Sequence, residues 1–269
     1  MILLAGNALA EAPLRVWTGI PPLAEMVRVV GGDQVEVHLL AGPGQNHETY
    51  APSPRQLRAL SGSDGYFSTG LPFETALLGR IRQISPNLPL FDTVAKIPLL
   101  ELTGDDHACK NCQTHGHSHG HHSHRVDIHR WLSPAILSAQ TEAIVQALSE
   151  LRPQSAADFG ANAEQLLHKI ARLDEELHAL LEPVRGSAFM INHPALGYFA
   201  DHFGLRQIAI ESEGVQPSPS RIRELSQQAN NHSVRWVVIQ EGQPRSAAVV
   251  LARNLDLPLI EVDPFNADS

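Results

Sequence analysis

The stretch SAADFGANAEQLLHKIARLDEELHALLEPV, residues 155–184, decides how the chain is organised. Ala163, Leu166, Leu167, Ile170, Leu173, Leu177, Leu180 and Leu181 recur at helical spacing, with charges between them. Apolar residues three and four apart share one face of an α-helix, so the stretch reads as one long amphipathic helix. Before it, Leu14–Trp17, Val35–Leu40, Tyr66–Ser68 and Leu90–Phe91 read as strands, with helices at Pro22–Val30 and Glu74–Ile84. After it, Ala188–Ile191, Gln207–Ile210, Val234–Ile239 and Leu259–Val262 read as strands, with helices at Leu196–Phe203, Ser220–Asn230 and Ala247–Asn254. Strand and helix in alternation imply parallel sheets with helical crossovers. The expected fold class is α/β, two lobes with parallel sheets bridged by the long helix: an N-terminal lobe over 11–153, the linking helix over 154–185 and a C-terminal lobe over 186–269.

An internal echo supports the two lobes. PSPRQLRAL (Pro52–Leu60) and PSPSRIREL (Pro217–Leu225) share Pro-Ser-Pro and the apolar and Arg positions after it. Both are helix starts: Ser53 and Ser218 as N-caps, Pro54 and Pro219 where a missing N–H costs nothing, and Gln56 completing a capping box in the first copy.

Composition narrows the guests. The chain of 269 residues carries a formal charge of −9, which argues against a nucleic-acid surface or a basic membrane patch, since both need excess Lys and Arg. Fifteen histidines against three tyrosines point to borderline transition metals. No run reaches the roughly 18 apolar residues of a membrane span. MILLAGNALA, residues 1–10, reads as the remnant of a secretory signal peptide without its basic start, and no cysteine stands near residue 10 to carry a lipid anchor.

Four potential ligands fall at strand ends or beside helix starts. His47 follows the Val35–Leu40 strand, His193 follows Ala188–Ile191 and Asp263 follows Leu259–Val262, while His129 precedes the helix opened by Ser133-Pro134. Open α/β sheets bind ligands outside the carboxyl ends of their strands. A metal held by His47 and His129 from the first lobe and His193 and Asp263 from the second would sit in the interlobe cleft.

The motifs NHETYAPSPRQL, DIHRWLSP, NHPALGYFA and EVDP resemble, in order and spacing, the four metal-ligand motifs of the cluster A-I substrate-binding proteins of bacterial ABC transporters, in their high-affinity zinc branch. The resemblance runs from Arg15 to Pro264. It implies two α/β lobes bridged by one rigid helix, with His47, His129 and His193 as imidazole ligands and Asp263 as the carboxylate. It further implies Zn2+ as transported ligand, an ABC membrane permease as partner, a periplasmic location, a monomer and no enzymatic activity. Three imidazoles and a carboxylate suit zinc, whereas manganese relatives replace an imidazole with a carboxylate, which makes His193 the discriminating residue. Two departures stand out: Asp127-Ile128-His129 replaces the usual Asp-Pro-His, and His193-Pro194 replaces a frequent His-Asp, removing one outer-sphere carboxylate. The second-lobe disulfide of many zinc members is missing too, since no cysteine follows Cys112.

Between the motifs, residues 106–124 form a His-rich segment with Cys109, Cys112, His115, His117, His119, His121, His122 and His124. Its Gly/Ser spacing cannot make one rigid site without ordering many residues, at about 1–2 kcal/mol each. It is expected to be a flexible loop with weak, accessory metal sites that scavenge metal beside the cleft or receive it from a periplasmic zinc chaperone. Two other readings stay open. One is zinc storage with this tract as the principal site. The other is a zinc hydrolase using Glu48 as base, against which Asp263 closes the fourth coordination position.

Overall fold

A computed structural model describes residues 11–42, 44–101, 126–211 and 215–265. Residues 1–10 and the His-rich segment 106–124, with all eight of its proposed ligands, lie outside the described residues. Contacts divide the chain into two units, one of 11–93 with 141–166, the other of 94–140 with 167–265.

The first unit is built on β1 (Leu14–Thr18), α1 (Pro21–Gly31), β2 (Val35–Leu39), α2 (Pro54–Ser61), β3 (Gly65–Ser68), α3 (Pro72–Ile84) and β4 (Leu90–Asp92). All its strand pairs are parallel, in the order β2-β1-β3-β4. Gly32, at φ 55°, takes the left-handed turn that stops α1. α2 starts as expected: Ser53 Oγ accepts from Gln56 N, and the Gln56 amide oxygen accepts from Ser53 N at 3.0 Å. Ile20, Leu23, Val27, Leu60, Tyr66 and Phe67 form its buried core.

At the end of β3 the unit buries a carboxylate. Glu74 is fully inaccessible; its Oε1 accepts from Tyr66 Oη at 2.7 Å, and its Oε2 from Leu71 N, Thr69 N and the Ser68 and Thr69 hydroxyls. Burial pushes the Glu74 carboxyl above its ordinary range, and the bonds from Tyr66, Leu71, Ser68 and Thr69 pull part of the way back.

The second unit pairs β5 (Leu100–Glu101) antiparallel with β6 (Val126–Asp127) and adds β7 (Ala188–Ile191), α6 (Gly197–His202), β8 (Arg206–Ala209), α7 (Pro219–Asn231), β9 (Val234–Gln240), α8 (Ser246–Leu255) and β10 (Leu259–Val262). Its main sheet is parallel, in the order β10-β9-β7-β8. Counted from the first strand of each sheet, both run second-first-third-fourth, and the two Pro-Ser-Pro helices, α2 and α7, each lead into the third strand. Ser218 caps α7 as Ser53 caps α2.

Two helices pass from one unit to the other, α4 (Pro134–Leu151) and α5 (Ala156–Leu181). The long helix expected over 155–184 is α5 flanked by short 3-10 turns at Pro153–Ser155 and Glu182–Val184. Its apolar stripe is wider than its covered face: Ile170 is buried and Leu177 and Leu181 pack on the second sheet's core, while Leu173 and Leu180 are exposed. At about 100° per residue those two leucines project from the opposite edge of the stripe. Among the described residues, no helix is long and apolar enough to cross a membrane.

Candidate metal centre

His129 follows β6 and is 3% exposed. Its Nδ1 lies 2.8 Å from Asp127 Oδ1, which also accepts from the His129 backbone N–H at 2.8 Å. The other oxygen, Asp127 Oδ2, accepts from Gly197 N at 2.9 Å, at the start of α6. A carboxylate held at both oxygens accepts from Nδ1, so the proton sits on Nδ1 and Nε2 carries the lone pair a metal needs. Only glycine fits at 197, because a Cβ there would stand 2.4 Å from Asp127 Oδ2. Near this contact, Tyr198 Oη accepts from Leu100 N and donates to Pro98 O. These bonds explain why residues 94–101 and 126–140, counted with the N-terminal lobe in the sequence reading, pack with the second unit.

His193 stands two residues beyond β7, with its Nδ1 2.7 Å from Glu211 Oε1. Glu211 stands two residues beyond β8 and is 5% exposed. Ile191 pairs with Ala209 in the parallel register, so the two chains leave the sheet side by side and the carboxylate meets the imidazole. The His129 and His193 rings meet edge to face, with centroids 5.3 Å apart. Two imidazoles are thus brought together, each with Nδ1 against a buried carboxylate.

Asp263 follows β10 in an exposed turn, where its Oδ1 accepts from Phe265 N at 2.9 Å. The next carbonyl, Pro264 O, accepts from the Trp131 indole at 3.0 Å, and Phe265 packs on the same indole. Trp131 is buried and also faces the His129 ring, so the turn bearing Asp263 is fastened two residues from His129.

His47 belongs to the first unit and is buried. Its loop is clamped at both ends: Gln56 Nε2 donates to Leu40 O at the end of β2 and to Tyr50 Oη after the loop. Asn46 Oδ1 accepts from Glu48 N and Thr49 N, forming the turn that carries His47. Gln56 therefore both caps α2 and holds the His47 loop.

Over residues 16–269 the chain matches the family described as zinc-uptake complex component A, periplasmic. It belongs to that family. Relatives of the chain include the zinc-binding protein AdcA of Streptococcus pyogenes, 27% identical across 97% of this chain and 52% of that protein. The high-affinity zinc uptake system protein ZnuA of Yersinia pestis is 27% identical, across 98% of this chain and 87% of that protein. A crystal structure of ZnuA superposes with a TM-score of 0.81 at 30% identity, covering 95% of this chain and 93% of that one. The chain spans about half the length of the AdcA proteins it matches (52%).

The sequence reading singled out His129 and His193 but not all of the groups that hold them. Pro194 follows His193, yet a carboxylate still meets its imidazole: Glu211, 18 residues along the chain. Asp127 was visible beside His129, but its second anchor, Gly197, lies 70 residues away. The β7–β8 register is the signal that pairs Glu211 with His193.

Proposed function

We propose that the protein is an extracytoplasmic zinc receptor that hands Zn2+ to an ABC permease. It acts as a binding protein and not an enzyme. The zinc ion, as cargo, is held by Nε2 of His129 and His193, by the imidazole of His47 and by the Asp263 carboxylate. The observation that carries this reading is the His129–His193 pair, each imidazole held through Nδ1 by a buried carboxylate, Asp127 or Glu211. That arrangement fixes both tautomers before metal arrives, so little ordering opposes binding. Nitrogen-rich donors favour zinc over manganese and leave copper excluded by availability more than by intrinsic affinity. The His-rich segment serves as a weaker, accessory collector.

The test is chelator-competition zinc titration of the full chain, of the chain lacking residues 106–124, and of H129A and H193A. One tight site is expected to survive the deletion and to be lost in both histidine variants. Tight binding that disappears with the segment and persists in H129A and H193A would instead make the protein a histidine-tract zinc store.

A further inference from the structure

We propose that Asp174, His178 and His202 form a second, solvent-facing site for a borderline divalent cation such as zinc, nickel or copper. Asp174 and His178 stand one turn apart on α5, and His202 ends α6. Asp174 Oδ1 lies 2.6 Å from His202 Nε2 and 3.7 Å from His178 Nε2, and one ligand atom from each residue falls within 4.8 Å of the others. An ion about 2.0–2.1 Å from tetrahedral N and O ligands sets them roughly 3.3 Å apart, a spacing the two Asp174 distances straddle.

An Asp174–His202 hydrogen bond alone would need only two of these residues. The third, His178, turns its Nε2 toward the same carboxylate oxygen, and its ring lies 5.1 Å from that of His202. Phe203 supports both imidazoles, with centroids 4.8 Å from His178 and 4.7 Å from His202. That phenyl ring is buried in the core that also takes Leu177 and Leu181 of α5, so the trio stands on packed helices. Side-chain exposures of 29%, 47% and 22% for Asp174, His178 and His202 leave room for water to complete the coordination. Two imidazoles and one carboxylate are the donor set such cations take at neutral pH. The site differs from the His129–His193 centre but shares α6 with it, for Gly197 at the near end of that helix holds Asp127 while His202 closes the far end. Metal at the trio would fasten α6 to α5.

The experiment uses the full chain, labelled with 15N-histidine and preloaded with one equivalent of zinc, to which zinc alone is added stepwise. Nitrogen–proton correlation spectra follow the His178 and His202 imidazoles, assigned from H178Q and H202Q. H178Q leaves the Asp174–His202 bond intact and keeps the test clear of unfolding. Both imidazoles are expected to acquire the metal-bound signature together, and D174N or H178Q to weaken uptake at the remaining ligands by roughly tenfold to a hundredfold, the scale set by losing even an outer-shell partner. No metal-bound signature at these rings, or equal uptake in wild type and D174N, would overturn the proposal and leave the trio as a helix-fastening hydrogen bond.

Discussion

Replacing Glu211 separates the orientation of His193 from its mere presence. The Glu211 carboxylate meets His193 Nδ1 at 2.7 Å, with its side chain 4% exposed. Hydrogen bonds to charged groups contribute about 1.5–3 kcal/mol, and each 1.4 kcal/mol is about tenfold in affinity. E211A, which removes both acceptor and charge, is therefore expected to raise the zinc Kd by roughly 10–150-fold, in line with other losses of outer-shell support. E211Q keeps an oxygen acceptor but loses the charge; neutral bonds are about half as strong, so a loss of roughly fivefold is expected. The assay is chelator-competition titration of the three proteins at one pH and ionic strength, with metal-free melting curves run in parallel to show that each variant folds. The order wild type, E211Q, E211A is the required outcome. If folded E211A binds zinc within about twofold of wild type, Glu211 does not orient the ligand and the reasoning fails.

Three further predictions concern the supports of the two units. G197A places a Cβ 2.4 Å from Asp127 Oδ2, so melting is expected to show about 1–3 kcal/mol of lost stability and titration a weakened zinc site; unchanged values would mean that α6 shifts freely. W131F removes the indole bond to Pro264 O, and a loss of about 1 kcal/mol of stability with several-fold weaker zinc binding is expected; unaltered affinity would mean the Asp263 turn holds itself. Glu74, whose carboxyl is raised by burial, binds its proton more tightly folded than unfolded, so stability from this group is full below the ordinary carboxyl range and lost as pH rises through the raised folded value. In metal-free urea unfolding across pH 4–8, wild type should lose stability relative to E74Q over that interval, and a pH-independent difference between the two would refute the assignment.

What the sequence showed and what it hid follow from chain distance. Strands such as Ala188–Ile191 and Leu259–Val262 were legible to the residue because β-branched and apolar runs are bounded by polar turn residues. The caps at Ser53 and Ser218 were legible because capping is local, a matter of three residues. Glu211 was not, since its meeting with His193 depends on which strands are neighbours and in which register. The two-residue β5 and β6 carry no periodicity to read, yet their pairing and the bonds of Asp127 and Tyr198 assign His129 to the second unit. Leu173 and Leu180 matched the apolar stripe of α5 and are nonetheless exposed, because periodicity defines a face and packing decides how much of it is covered.

The shared strand order makes the difference between the two units informative. In both, a Pro-Ser-Pro helix leads into the third strand, and the loop after the second strand holds a buried polar group, His47 in one and Glu211 in the other. After the first strand the units diverge. The second unit continues from β7 into Asn192 and His193, and Asn192 Oδ1 accepts from Gln240 N to brace the turn. The first continues from β1 into Gly19 and buried Ile20, where a Cβ on Gly19 would lie 2.4 Å from Glu74 Oε1. A carboxylate that accepts five hydrogen bonds already fills that space. Gly19 stands where Asn192 does, one residue past the strand, and a larger side chain there would have to expel Glu74 and orphan its donors, at about 1–3 kcal/mol for each buried group left unsatisfied. The position that matches His193, two residues past the strand, is Ile20, which is fully buried in the apolar core. The first unit therefore offers no counterpart of His193, and under the zinc reading its contribution comes through the clamped His47 loop, with the remaining ligands and both outer carboxylates drawn from the second unit.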